Sequence, residues 1–375
     1  MGKKQTIRLL DEKSLRKKYP NAGLAIDFLL PHHLFLPSRC IPLNWQLGGG
    51  IPYGKIIEVM GYESTGKSLL AMDFCYAAQK LGGKVLWDDA EGSFDLYWAE
   101  KNGLSVNDIE LYTDNDIEGF SDWARDMILY HRSKLVNNEP IVLVVDSIAA
   151  MECLENIDSD QNDGKSEMGK RAKVLYQFYR KRNSYFMKYG VIVIMINQVR
   201  DKVGAGLYEA AEQTPGGKST RFYASQRLGL IRSRQIKGVM GKKGFREDIK
   251  GVKFGQNIIL SVQKNKVAPP RSNVKTKVYF LDDIHGYVGY DRYEGLQEIL
   301  LNLRVIKQKG SRYYYKGSLL CNGKDNLIPF LHDNPKIRAK LIKKTGINTI
   351  SRLKETLASL GHNLYPVKLK KKSEE

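Results

Sequence analysis

The chain has 375 residues, of which 42% are hydrophobic, and it carries a formal net charge of +19 at neutral pH. This is enough apolar material for a large core, yet no apolar run approaches the ~20 residues that a membrane-spanning helix needs, so we expect no membrane partner. The four cysteines are scattered without a Cys-x-x-Cys pair, which argues against a zinc site or a disulfide framework.

The excess positive charge is concentrated in three segments, residues 1–20, 231–250 and 334–375. Basic segments can be solvated faces and nothing more, but three separated ones favour a polyanionic partner such as a nucleic acid. A membrane surface is the weaker choice because no amphipathic anchor accompanies the charge. The N-terminus lacks the apolar core of a signal peptide, and we therefore expect a soluble, cytoplasmic protein.

Apolar strands alternate with helical patterns from Lys55 onwards. The predicted strands are "KIIEVM", "KVLWDDA", "IVLVVDS" and "VIVIMIN", and helical spacing covers residues 67–81, 117–134 and 168–188. Continuous apolar strands separated by helices are typical of an α/β fold with a mostly parallel central sheet that is covered on both faces.

In the second half of the chain, apolar runs are no longer separated by long helices. The runs "RLGLIRS", "NIILSVQ" and "TKVYFL" follow one another without long helices, which predicts antiparallel additions to the sheet. From about residue 285, short helices and "SRYYYKGSLL" predict a small α/β domain. The predicted divisions are an N-terminal appendage (1–40), a large core (41–284), a small C-terminal α/β domain (285–365) and a basic tail (366–375).

The stretch "GYESTGKS", from Gly61 to Ser68, matches the pattern G-x-x-x-x-G-K-[ST] in full and lies between a predicted strand and a predicted helix. In such a loop the backbone N–H groups and the helix N-terminus cradle phosphates, Lys67 reaches the β- and γ-phosphates, and Ser68 binds Mg²⁺. A glycine-rich turn without a nucleotide is the alternative, and the strand–loop–helix context argues against it. The motif therefore predicts a nucleoside triphosphate with Mg²⁺.

Acidic residues follow two other predicted strands. Asp146 ends "IVLVVD" and is well placed to hold Mg²⁺ through water. The stretch "WDDAEGSFD" contains Glu91, a candidate general base for a water that attacks the γ-phosphate. An exposed turn, or a helix N-cap at Asp95, is the alternative, and spacing alone leaves both open.

The strand period is lost for about twenty residues after Gln198. Loops of this length in a compact domain are usually functional or disordered. Asn197 and Gln198 end a predicted parallel strand, and open α/β sheets place their ligands at that end of their strands. We therefore expect both side chains to face the nucleotide.

Five motifs in one order resemble the RecA family of homologous recombinases, in particular its bacterial branch and the phage-borne relatives. They are the phosphate loop, "DDAEGSFD", "IVLVVDSIAAM", "INQVR" and "GGKSTRFYASQR". The resemblance extends over about residues 41–345, because "YYYKG" and "FLHDNPKIRAKLI" are similar to the small C-terminal domain of bacterial members. It implies a RecA-type P-loop ATPase core over residues 41–284 and an oligomerisation role for residues 1–40. It also implies that the C-terminal domain, residues 285–365, is a candidate site for double-stranded DNA.

The resemblance also implies roles for single residues. Glu91 would be the catalytic base, acting with Lys67, and Gln198 would sense the γ-phosphate and signal to a DNA loop. Lys264 and Lys266, in "VQKNK", would reach ATP on the neighbouring subunit, so that the site is complete only in a filament. Mg²⁺ would be held by Ser68 and Asp146. The implied nucleotide-binding residues are Gly61, Tyr62, Glu63, Ser64, Thr65, Gly66, Lys67, Ser68, Leu69, Asp95, Trp98 (by stacking on adenine), Asp146, Ser147, Lys264 and Lys266.

Two loops, at about residues 155–170 and 199–218, are implied to bind DNA. The residues of the first loop and of the helix after it are Met168, Gly169, Lys173, Tyr176 and Arg180. Periodicity alone makes Tyr176 equally a core residue. The residues of the second loop are Arg200, Val203, Gly216, Gly217 and Lys218. Contacts of this kind reach the phosphate backbone and carry no sequence preference, which suits a protein that must accept any sequence.

The function implied is that of an ATP-dependent recombinase that forms a helical filament on single-stranded DNA and exchanges strands with double-stranded DNA. A single-strand-binding protein and loading mediators would assist it, in a bacterial nucleoid or a phage-infected cell. One alternative is a non-catalytic paralogue that acts as a mediator, against which the complete set of catalytic residues argues. The other is a hexameric helicase-like ATPase, against which the resemblance of the C-terminal domain argues.

Overall fold

The computed structural model describes residues 34–157, 164–201, 212–213, 217–241, 244–247, 251–269, 273–280 and 288–367, together with Lys13, Ser14 and Lys17. Most of the predicted N-terminal segment and nearly all of the basic tail lie outside the described residues, as do the middle parts of both predicted DNA loops. No helix in the described parts of the chain is long and apolar enough to cross a membrane.

A ten-stranded sheet forms the centre of the protein. Its strands are β3 (Ile56–Gly61), β4 (Lys84–Asp88), β5 (Ile109–Tyr112), β6 (Ile141–Val145), β7 (Val191–Gln198), β10 (Gln226–Gly241), β11 (Gly244–Glu247), β12 (Val252–Asn265), β13 (Val274–Tyr279) and β14 (Gly289–Tyr290). They lie in the order β14-β13-β12-β10-β3-β7-β6-β4-β5, with β11 paired to β10. The pairs from β10 through β3, β7, β6 and β4 to β5 are parallel, and the pairs that involve β11, β12, β13 or β14 are antiparallel. The predicted α/β fold with a mostly parallel sheet and antiparallel additions is confirmed.

The continuous apolar strands are explained by cores on both faces of the sheet. The helices are α1 (Ile41–Leu47), α2 (Lys67–Lys80), α3 (Leu96–Lys101), α4 (Ile117–Lys134), α5 (Leu154–Ile157), α6 (Gly164–Tyr189), α7 (Gly217–Tyr223), α8 (Leu296–Asn302), α9 (Leu327–Asp333), α10 (Pro335–Thr345) and α11 (Ile350–Leu360). In β6, Val142 and Val144 face a core that is shared with α2, whereas Leu143 and Val145 face a second core that is shared with α4 and α6.

The smaller strands lie outside the central sheet. β1 (Phe35–Leu36) pairs with β2 (Ile51–Pro52), and a three-stranded antiparallel sheet in the C-terminal domain is formed by β15 (Lys307–Lys309), β16 (Arg312–Tyr315) and β17 (Ser318–Asn322). That sheet and α8, α9 and α10 share a separate core around Leu300, Tyr313 and Leu331.

The segment after the small domain turns back to the large one. We name residues 348–367 the C-terminal strap. Its residues Leu353, Leu357 and Tyr365 lie in the same core as α2, not in the core of the small domain. Thr349 caps α11 through a hydrogen bond from the backbone N of Arg352, at 3.2 Å. The strap is therefore part of the packing of the large domain.

The two predicted DNA loops have more regular structure than the sequence indicates. Met168 and Gly169 lie on α6, which begins at Gly164, and Gly217 and Lys218 are the first residues of α7. At the base of the second loop, β8 (Arg200–Asp201) pairs antiparallel with β9 (Glu212–Gln213). Gly216 and Val203 lie outside the described residues.

Candidate active site

The phosphate loop runs from Gly61, the last residue of β3, to the start of α2 at Lys67. Gly66 has φ +89°, a conformation that favours glycine, and a Cβ there would crowd the hydroxyl of Tyr290 at 3.1 Å. Two distant strands hold the loop: Tyr290 donates from its hydroxyl to Gly66 O at 3.0 Å, and Gln256 donates from Nε2 to Ser64 O at 3.2 Å. The loop is thereby positioned before any phosphate binds.

Lys67 lies at the first helical position of α2 and is buried. Its Nζ donates to the carbonyl oxygen of Tyr62 at 2.9 Å, and Thr65 Oγ1 donates to the same oxygen at 2.8 Å. Burial lowers the pKa of Lys67, and the nearby carboxylates of Asp146 and Glu91 oppose that shift. An anionic phosphate at this helix N-terminus would stabilise the charged lysine further.

Asp146 follows the last residue of β6, is buried, and precedes a cis peptide bond to Ser147. Burial raises the pKa of Asp146 to about 6, while a hydrogen bond from Ser68 favours the ionised form. This hydroxyl–carboxylate pair fits Mg²⁺, which takes few protein ligands and completes its shell with phosphate oxygens and water. Among the described residues there is no cluster of three or more His, Cys, Asp or Glu side chains that could hold a metal alone.

The acidic turn after β4 places Glu91 beside Asp146. Its backbone N donates to Asp146 O at 3.3 Å. Its Oε1 accepts a hydrogen bond from Ser147 Oγ and another from Gln198 Nε2, the latter at 2.8 Å. The turn is held by Asp89, whose carboxylate accepts from the backbone N–H groups of Ser93 and Phe94 at 2.8 and 2.9 Å. An exposed, oriented carboxylate is therefore presented to the pocket.

A cavity of about 660 Å³ joins these parts. The structure brings most of the predicted nucleotide residues together around it, namely Glu63, Ser64, Thr65, Gly66, Lys67, Ser68, Leu69, Glu91, Asp95, Trp98, Asp146 and Gln198. Asp95 is also the N-cap of α3, because its Oδ1 accepts from Trp98 N at 3.0 Å. Asp95 is thus both the N-cap of α3 and a residue of the pocket lining.

Further residues line or support this cavity without having been predicted from the sequence. Met72, Ser93, Lys253 and Phe280 line it, and Gln256 and Tyr290 support the phosphate loop. Lys253, Phe280, Gln256 and Tyr290 come from the antiparallel part of the sheet. Their proximity depends on long-range strand pairing, and no local motif marks them.

Asn197 does not face the nucleotide cavity, and the expectation for this residue is wrong. Its side chain is buried and donates from Nδ2 to Glu58 Oε1 at 3.0 Å, while Arg227 Nε donates to Glu58 Oε2 at 2.5 Å. Successive residues of a strand point to opposite faces, so only one of Asn197 and Gln198 can reach the cavity. Asn197 instead joins β7 to β3 and β10.

Lys264 and Lys266 lie away from the nucleotide cavity of their own chain. They line a second cavity of about 530 Å³, together with Arg221, Phe222 and Arg227. Lys264 Nζ donates to Arg221 O at 2.6 Å and to Phe222 O at 3.3 Å, at the end of α7. Burial and the neighbouring Lys266 lower the pKa of Lys264 to about 8.

The predicted DNA residues of α6 share one face of that helix. All four described side chains or positions on this face are exposed: Gly169, Lys173, Tyr176 and Arg180. Tyr176 is therefore a surface residue and not a core residue. Tyr176 lies 6.2 Å from Tyr223 of α7, measured between ring centroids. The helices that follow the two predicted DNA loops are therefore packed against each other. The structure describes the backbones of Met168, Arg200 and Lys218 but not their side chains.

The family model described as the RecA N-terminal domain matches residues 35–285, and the model described as the RecA C-terminal domain matches residues 298–346. Protein RecA of Streptococcus parasanguinis is 33% identical over 315 residues, which cover 84% of this chain and 76% of that protein. Protein RecA of Geobacter sulfurreducens is 31% identical over 315 residues, which cover 84% and 85% respectively. The chain belongs to the RecA family.

Proposed function

We propose that this protein is a DNA-dependent ATPase that forms a helical filament on single-stranded DNA and catalyses homologous pairing and strand exchange with double-stranded DNA. Family membership and a pocket built for a nucleoside triphosphate support the proposal. Two basic residues, Lys173 and Arg180, are exposed on the same face of α6 and support a phosphate-backbone partner.

The residues of the pocket suit hydrolysis of the γ-phosphate. Glu91 orients a water and takes its proton, and Ser147 and Gln198 hold that carboxylate in place. Lys67 donates to the β- and γ-phosphate oxygens. Mg²⁺, held by Ser68 and Asp146, would neutralise charge on the phosphates as it develops. Trp98 and Asp95 lie where the adenine would be bound.

The observation that carries the proposal is the short path from the catalytic carboxylate to the second DNA loop. Gln198 contacts Glu91, and the next residue, Val199, donates from its backbone N to Gly61 O of the phosphate loop at 3.1 Å. Arg200 then begins β8, the base of the loop. The residue that contacts the proposed catalytic base is thus only two residues from the strand at the base of the proposed DNA-binding loop.

The filament is supported by the position of the two lysines that do not reach their own pocket. Lys264 and Lys266 line a cavity beside the exposed Phe222, where a neighbouring subunit could present its nucleotide. We propose that they complete the site of that subunit, as an arginine finger supplied in trans does. A single-strand-binding protein and loading mediators are proposed as further partners on the family resemblance.

A strand-exchange assay with and without ATP, combined with electron microscopy, tests the proposal. We expect filaments on single-stranded DNA and ATP-dependent exchange by the wild-type protein. Lys67→Ala should lower ATP turnover at least about a hundredfold, because it removes a charge that acts on the transferred phosphoryl group. ATP turnover near the wild-type rate in this variant would contradict the site.

The same assay separates the alternatives. A mediator would bind DNA and assist another recombinase without exchanging strands itself. A helicase would form closed rings and unwind duplexes. Either result would replace the proposed function.

A further inference from the structure

One positively charged side chain in the nucleotide cavity has no role in the site described above. Lys253 lines the cavity together with Phe280. Both residues come from the antiparallel part of the sheet, whereas the other lining residues come from the phosphate loop, the acidic turn, α2, α3 and the ends of β6 and β7. Lys253 therefore approaches the cavity from a different element than Lys67.

The position of Lys253 along β12 indicates which part of a nucleotide it would meet. β12 touches the phosphate loop through Gln256, whose Nε2 is 3.2 Å from Ser64 O. Lys253 lies three residues earlier, and at about 3.3 Å per residue this places its backbone about 10 Å along the strand from that contact. The backbone of Lys253 therefore lies beyond the strand residue that contacts the loop that cradles the phosphates.

The end of the cavity near Lys253 is held by a contact between two strands. The backbone N of Phe280, after β13, donates to Phe254 O at 2.9 Å. The Lys253 ammonium lies 5.2 Å from the centroid of the Phe280 ring. The ammonium therefore lies over the ring as a cation–π pair, and together the two side chains form part of one wall of the cavity.

The ammonium group of Lys253 has hydrogen-bond donors but no carboxylate beside it among the described residues. The side chain is exposed, and no carboxylate among the described residues forms an ion pair with it. An ammonium group has three N–H donors and no acceptor. The ring nitrogens of a purine and the hydroxyls of a ribose are acceptors, and a base lying against the ring of Phe280 would bring them within reach.

We propose that Lys253 binds the sugar–base half of the nucleotide in the pocket of its own subunit. The inference rests on the proposed nucleotide site. It adds to that site a second cation, Lys253, which contacts the nucleoside and not the phosphates. Lys67 and the phosphate loop supply affinity for any triphosphate. Lys253 supplies a preference for a triphosphate that carries a nucleoside.

The test compares two probes on three forms of the full chain without DNA. The probes are ATP and inorganic tripolyphosphate with Mg²⁺, with ATP affinity measured by calorimetry and tripolyphosphate affinity by competition. Lys253→Met keeps the apolar stem and removes the charge. The matched control is Lys237→Met, because Lys237 pairs in register with Lys253 on β10, is exposed, and does not line the cavity.

Lys253→Met should weaken ATP binding by about tenfold, the effect of losing one hydrogen bond from a charged donor, and leave tripolyphosphate binding unchanged. Lys237→Met should bind both probes like the wild type. Equal weakening for both probes would place Lys253 on the phosphates and overturn the inference, as would unchanged ATP affinity. If the wild-type protein binds neither probe, the proposed nucleotide site fails as well, so the two failures are distinguishable.

Discussion

Gln198 Nε2 donates a hydrogen bond of 2.8 Å to Glu91 Oε1, and this joins the last residue of β7 to the carboxylate proposed as the catalytic base. The same oxygen accepts a hydrogen bond from Ser147 Oγ. One donor, Ser147, lies two residues after the end of β6. The other, Gln198, lies two residues before β8, the base of the second predicted DNA loop. The carboxylate is therefore held from two strands, and we expect DNA binding to alter the contact from Gln198.

Gln198→Ala removes the contact on the side of the DNA loop. We expect ATP affinity within about twofold of wild type, because the phosphate loop and Lys67 are intact, and we expect stimulation of ATP hydrolysis by single-stranded DNA to be lost. Steady-state ATPase rates with and without saturating single-stranded DNA measure this effect.

Ser147→Ala is the matched variant, since it removes the other donor to the same oxygen. It should lower ATP turnover by about tenfold with DNA and without it, so that the ratio of the two rates is retained. If stimulation by DNA persists in Gln198→Ala, this residue does not carry the signal.

Asp88, the last residue of β4, is fully buried, and neither of its carboxylate oxygens has a hydrogen-bond partner among the described residues. Burial, with the nearby charges of Asp89, Asp146 and Asp116, raises the pKa of Asp88 to about 8. An aspartate in the unfolded chain has a pKa of about 4, so the folded state binds this proton more tightly. Its contribution to stability is therefore present at low pH and is lost as the pH rises through that window.

Asp88→Asn should flatten the dependence of the free energy of unfolding on pH between about pH 5 and about pH 8, because asparagine keeps the shape and cannot ionise. Urea denaturation at one protein concentration measures this free energy across the range. Asp325→Asn, at an exposed position of the C-terminal domain, should retain the slope of the wild type. Parallel profiles for Asp88→Asn and wild type would show that Asp88 is not protonated in the folded protein.

Much of the pocket could be predicted from the sequence because its parts are local. The phosphate loop is a contiguous motif, and Glu91, Asp146 and Gln198 follow or end strands of a parallel sheet, whose carboxyl ends meet at one edge. The sequence also distinguishes Asn197 from Gln198, because neighbouring residues of a strand such as β7 point to opposite faces of the sheet.

The rest depends on contacts between distant parts of the chain. Gln256, Lys253 and Phe280 reach the cavity only because β12 and β13 extend the sheet beside β10. The early start of α6 was not visible either, because its first turns, "GKSEMGK", are polar and carry no apolar period. Such features follow from pairing and packing, which a single sequence does not display.

The exposed face of α6 predicts a measurable DNA interaction. Lys173→Ala and Arg180→Ala should each weaken binding of single-stranded DNA and lower the slope of log affinity against log salt by about 0.7, the value for one neutralised phosphate. Fluorescence anisotropy at several salt concentrations measures both quantities. Lys181→Ala is the control, because Lys181 is also exposed but lies about 100° further around the helix. A slope that is the same in all three variants would contradict a DNA contact on this face.

The C-terminal strap lies beyond the residues matched by the RecA C-terminal domain and is fastened to the large domain by Tyr365. The Tyr365 ring stacks on Tyr53 with 6.4 Å between centroids, and the guanidinium of Arg132 lies 5.2 Å from it. A Cβ at Gly190 would approach this ring to 2.4 Å. Asn138 supports the same segment, accepting on Oδ1 from Leu364 N at 2.6 Å and donating from Nδ2 to His362 O at 2.8 Å.

Tyr365→Ala should lower the free energy of unfolding by about 3 kcal/mol, the usual cost of truncating a buried aromatic ring to alanine. Urea denaturation measures the loss, and faster proteolysis between the small domain and residue 367 should accompany it if the strap detaches. Tyr130→Ala, at a half-exposed tyrosine of α4, should cost about 0.5 kcal/mol or less. Equal costs for the two variants would mean that the strap lies on the large domain without stabilising it, since the buried ring would then contribute no more than a surface one.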